Sequence, residues 1–186
     1  MIIANQLKNR NRAEYLLYMW QVEDLIRAFG CDEDRICHEY VSQFKLEDKE
    51  RKETEEWYRN LCEMMRSEGV REHGHLQICK NILQQLEELN HQLLESQHFP
   101  YFRQMYYKVL PYIVELRHKQ HTEKSEPAEG ESELSTCFDV LYGVMLLRLQ
   151  KKEVTADTER AVKEISTYLG QLSDYYFKDK KEPFEF

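Results

Sequence analysis

The sequence predicts an all-α protein, a single-domain bundle of about seven helices. Three observations carry this. Apolar residues recur at three- and four-residue spacing almost throughout. No useful stretch alternates apolar and polar as a strand does. Only 6 Gly and 4 Pro occur among 186 residues, too few for a loop-rich or all-β chain. A chain of this size buries about 70% of its surface, enough for a core without staples or metals.

The first helix covers residues 7–29 and ends at Gly30, which suits a left-handed cap. The second, 32–44, opens on Asp32 as its N-cap. The third covers 46–68 and stops at Gly69. The fourth runs over 75–96, aligning Leu76, Cys79, Ile82, Leu83, Leu86 and Leu93. The fifth, 100–120, starts on Pro100 and aligns Tyr101, Met105, Val109, Ile113 and Leu116. Pro111 lies inside it, where proline kinks or divides a helix. The sixth covers 134–152 and the seventh 155–179, the latter with Thr158, Val162, Ile165, Leu169, Leu172 and Tyr176 in one stripe.

Two helices are apolar on two sides, the pattern of a helix covered all round. The first has Tyr15, Met19, Val22, Ile26 and Phe29 on one face, with Leu16 and Trp20 on another. The sixth has Phe138, Leu141, Met145 and Leu149 on one side and Val140, Val144 and Leu147 on the other. Helices one and six are therefore expected at the centre. Residues 122–133 hold five Glu and one Lys, with Pro127 and Gly130, and read as an acidic surface loop within the domain. Two helices alone bury too little to stand apart, so the last pair is expected to pack back on the rest.

The formal charge of −8 argues against a general nucleic-acid binder, leaving only local basic spots such as Lys8, Arg10 and Arg12. No apolar run reaches the roughly 18 residues of a membrane span. The first residues lack the basic-then-apolar order of a secretion signal. Five cysteines without a C-x-x-C pair fit reduced thiols in a cytoplasm. Cys37 and Cys79 fall on apolar faces, Cys62 and Cys137 on their flanks, and Cys31 in a turn open to solvent.

Several constellations invite a chemical reading. Glu88–His91 and Glu115–His118 have the Glu-x-x-His spacing of a carboxylate-bridged di-metal site. Both lie opposite the apolar stripes of their helices, so they are expected to face water. His73 and His75 flank Gly74 in a turn without an identifiable third ligand, and read as loop residues. Gly69 and Gly74 have phosphate-loop spacing, but His75 and Leu76 replace the required Lys and Ser or Thr. Glu23 and Arg27 share a side with Leu16 and Trp20. They read as a buried bridge fixing helix packing or, less favoured, as a polar spot orienting a ligand in an apolar groove. Arg103 and Tyr107 form a candidate contact surface on the fifth helix. Phe184 and Phe186 of the tail are expected to dock on the body or on a neighbour.

At AEYLLYMWQVEDLIRA, residues 13–28, the chain resembles a family of all-helical Bacteroidetes proteins of about this length, a domain of unknown function. The resemblance extends over essentially the whole chain. It implies an all-helical cytoplasmic protein and places no catalytic motif on any residue. The sequence thus reads as a binding or self-association module, with a twofold dimer or an unknown protein as partner and no cofactor, metal or membrane. The alternative is a metal-dependent or small-molecule enzyme with its site inside the bundle.

Overall fold

The computed structural model describes residues 2–123 and 132–186. They form eight α-helices and no strand. These are α1 (Ile2–Lys8), α2 (Arg12–Ala28), α3 (Glu33–Arg35), α4 (Asp48–Ser67), α5 (Gln77–Glu95), α6 (Pro100–Glu123), α7 (Glu133–Leu149) and α8 (Ala156–Lys181). Of the acidic loop expected over 122–133, residues 124–131 lie outside the described residues. No described helix is long and apolar enough to cross a membrane.

The expected first helix is two. Asn11 ends the run, because its side-chain oxygen accepts from the N–H groups of Ala13 and Glu14 and so starts α2 afresh. Gly30 closes α2 at φ +69°. Its N–H bonds the Arg27 carbonyl and that of Cys31 bonds Ile26, the paired closure of a Schellman motif. Gly69 (φ +71°) and Val70 close α4 in the same way, on Arg66 and Met65. The second helix is also corrected. Asp32 caps it as expected, but after α3 the chain widens into a π turn over Ile36–Tyr40 and then tightens into a 3-10 turn over Val41–Gln43. Helix α6 passes through Pro111 undivided.

The described chain falls into two compact units, with the boundary inside α5 between Ile82 and Leu83. It does not fall at the acidic segment. In the first unit α1 packs on α2, and the turn after α2 packs on α4. Helix α2 is buried on both expected faces: Tyr15, Leu16, Met19, Trp20, Val22, Glu23 and Ile26 are all inside.

In the second unit α6 packs against α7 and α8. Phe102 stacks on Tyr168 at 5.0 Å. That contact puts Phe102 in the core in place of Tyr101, which is exposed. The Tyr176 hydroxyl donates to Gln85 at 3.1 Å and the Tyr168 hydroxyl to Asn90, fastening α8 to the second half of α5. Helix α7 is less covered than its two apolar sides predict: Phe138 and Val144 are buried, Val140, Leu141 and Met145 are half-buried, and the last turn opens Leu147 and Leu149 to water. The tail docks on its own unit: Phe184 meets Phe99 at 5.1 Å and Tyr175 at 5.9 Å.

Candidate functional site

The most concentrated polar geometry lies in the first unit, around Glu23. Its side chain is fully buried. Burying a carboxylate is costly unless donors surround it, and here they do. Oε1 accepts from the Leu76 backbone N–H at 2.9 Å, and Oε2 accepts from His75 Nδ1 at 2.6 Å. The Cys79 thiol lies near enough for the negative Glu23 to add to the effect of burial in raising its pKa. The His75 ring lies flat on the Trp20 indole, with centroids 4.2 Å apart and planes 15° from parallel.

The local sequence explains why these groups meet. Helix α5 begins after Leu76, which accepts the first helical bonds from Cys79 and Lys80. A leucine has no side-chain oxygen to cap a helix. Glu23 binds the N–H of Leu76 instead, and Glu68 binds that of Gln77 at 2.6 Å. Two carboxylates borrowed from α2 and from the end of α4 thus complete the start of α5, where negative charge is favoured.

Arg27 does not bridge to Glu23, which corrects the expectation of a buried pair. Its guanidinium bonds Asp24 at 2.7 Å and the carbonyls of Val70 and Gly74, binding the loop after α4. Those carbonyls lie outside any helix and lack helical partners, so they draw the donor. The apolar groove weighed for Trp20 is also absent: the indole is 3% exposed and lies under His75. His75, read as an ordinary loop residue, is the partner that the sequence reading missed. The available signal was a helix start with leucine in the capping position, one turn before Cys79.

The remaining constellations disperse. Glu88, His91, Glu115 and His118 are all exposed, as their wheel positions required. Glu88 accepts from Gln84, and His91 lies 3.3 Å from Glu95. No three His, Cys, Asp or Glu side chains gather to hold a metal among the described residues. All five cysteines are buried, including Cys31, which left-handed backbone (φ +56°) turns inward. Burial raises the thiols of Cys62 to about 11 and of Cys137 to about 12. Burial, reinforced by the negative Glu23, raises that of Cys79 further. A thiol reagent at mildly alkaline pH is therefore expected to label the native protein slowly and all five cysteines at once after unfolding. A fast stoichiometric phase in the native state would reveal an open thiol.

The second candidate lies on α6. Arg103 is half-buried, donating to the Leu94 carbonyl at 3.1 Å and to that of Ser96, so it closes the end of α5. Tyr107 is 61% exposed. One, two and three turns further along, Pro111, Val114 and His118 are exposed on the same side, with Leu110 half-buried beside them. Tyr107, Pro111, Val114 and His118 follow i, i+4, i+7 and i+11, a single stripe of a helix. It faces away from the Met105, Val109 and Ile113 side that the unit buries.

The architecture is that of an all-helical protein whose buried polar groups tie elements together and whose exposed α6 carries an apolar stripe. The chain belongs to the DUF4924 family, a domain of unknown function, whose model matches residues 1–183. No curated protein and no solved structure matches it.

Proposed function

We propose that this protein works by contact, as a helical binding or self-association module of the cytoplasm that folds as one domain. The observation that carries the reading is the stripe Tyr107, Pro111 and Val114, apolar and open on a helix whose opposite side is core. Apolar surface left wet is costly, and aromatic side chains with a nearby arginine are enriched where proteins touch. Tyr107 and Arg103 also border a shallow groove with Leu94 and Tyr106. Light scattering at micromolar concentration is expected to give a mass of two chains. A clean monomer over that range removes self-association.

A second reading rests on His75. Its Nδ1 is engaged by a buried carboxylate, and the ring is 35% exposed, the arrangement that fixes a tautomer and presents Nε2 for acid–base or metal chemistry. The recess beside Arg27 is lined by Gly30, Cys31, Arg71 and Glu72 and not by His75. Metal analysis of purified, untagged protein tests this alternative, and stoichiometric zinc, iron or manganese would place it first.

A further inference from the structure

We infer that His75 is a phosphoryl acceptor. Its Nε2 takes a phosphoryl group from a phosphoramidate donor, with Glu23 as the positioning residue and the Trp20 indole as the plate on which the ring rests. The inference rests on the His75 reading above and names the chemistry of that site.

The geometry singles out one atom. His75 Nδ1 lies 2.6 Å from Glu23 Oε2. An ionised carboxylate only accepts, so Nδ1 carries the hydrogen and the free lone pair belongs to Nε2. The side chain is partly exposed, and Nε2 bonds no described residue. The ring is held on two sides, by the carboxylate at its edge and by the indole at 4.2 Å on its face. A donor therefore meets Nε2 in one orientation, with no rotamer search to make first.

Charge makes that atom a nucleophile. Glu23 is fully buried, and Arg27 turns away from it to Asp24 and the loop carbonyls. Its other oxygen meets the neutral N–H of Leu76. As Nε2 bonds an electrophile, positive charge builds on the ring, and the carboxylate on Nδ1 offsets it from a position shielded from water.

The step balances without a redox partner. The Nε2 lone pair forms the new N–P bond. The N–P bond of the donor breaks, and its electron pair leaves with the amine, which departs already protonated. The Nδ1 hydrogen stays on its bond to Glu23. The donor must hold its own phosphate, because the turn from Gly69 to Gly74 is followed by His75 and Leu76 where a phosphate loop carries Lys and Ser or Thr. This favours a partner bearing its phosphoryl group on nitrogen, as phosphohistidine does, over a nucleotide.

Potassium phosphoramidate on the full chain near neutral pH tests this. Peptide mapping kept out of acid locates the phosphorylated histidines, and phosphorus NMR reads which ring nitrogen is substituted. His75 is expected to react about tenfold or more faster than His73, its neighbour in the same turn, and to give the Nε2 product. In urea that advantage is expected to vanish. Glu23→Gln, with its fold verified by circular dichroism, is expected to slow His75 by about tenfold and leave His73 unchanged. A native His75 no faster than His73, or substituted on Nδ1, would overturn the inference. A fast His75 indifferent to both urea and Glu23→Gln would overturn it too, since the pairing would then do nothing. Diethyl pyrocarbonate, which needs only an accessible ring nitrogen, separates the two levels. His75 labelled by that reagent but resisting phosphoramidate removes phosphoryl transfer alone, whereas His75 resisting both removes the His75 reading as well.

Discussion

Replacing Glu23 by alanine is expected to lower the stability of the fold by about 3–5 kcal/mol, the cost of removing one member of a buried, hydrogen-bonded charged network. The substitution leaves the Leu76 N–H and the His75 ring nitrogen facing a void. Each buried donor without an acceptor costs about 1–3 kcal/mol. Glu23→Gln keeps the volume and one acceptor oxygen, so its loss is expected to fall below that of the alanine variant. Urea denaturation measures both. A loss under about 1 kcal/mol for Glu23→Ala would mean that water reaches the carboxylate and that the start of α5 is held by Glu68 alone. Combined with His75→Ala in a double-mutant cycle, the coupling is expected at about 0.5–3 kcal/mol, since the two side chains bond directly.

Trp20→Ala is expected to cost a similar about 3–5 kcal/mol, for a different reason. Removing a buried indole leaves a cavity as well as lost apolar burial. It also strips the flat surface on which the His75 ring rests, at 4.2 Å. Trp20→Phe retains an aromatic face and is expected to recover part of the loss. Chemical denaturation decides here too. A change below about 1 kcal/mol in Trp20→Ala would show that the second face of α2 lies open, and the groove reading would return.

Most of the fold was legible in the apolar period. The reading of helix bounds lay close for α4 through α8, which begin and end within a few residues of the expected positions. It erred where local hydrogen bonding overrules the period. Asn11 interrupts a run that remains apolar on both sides of it, and its capping oxygen is invisible to a helical wheel. The π turn at Ile36–Tyr40 keeps Ile36 and Cys37 inside while changing the pitch, so the period alone cannot reveal it. At the start of α6 the stripe was begun one residue too early: at 100° per residue Phe102, not Tyr101, falls in line with Val109 and Ile113, and it is Phe102 that packs on Tyr168.

The buried polar site was half legible. Glu23 stood out because a carboxylate on an apolar face demands donors. Its partner was sought one turn away, at Arg27, because neighbours along a helix are the only ones that a sequence displays. The actual partner, His75, is separated by 52 residues and arrives through a loop. The exposed stripe of α6 was legible only at Arg103 and Tyr107. Its extension to Val114 emerged once the opposite side of the helix was known to be core.

The borrowed carboxylates at the start of α5 make its first turn depend on distant parts of the chain. Gln77 and Leu76 find their acceptors on Glu68 and Glu23, neither of which belongs to the segment that they complete. Loosening α2 or the end of α4 therefore frays that boundary as well, since each removes an acceptor from it. The first turn of α5 is thus only as firm as the two segments that lend it their carboxylates.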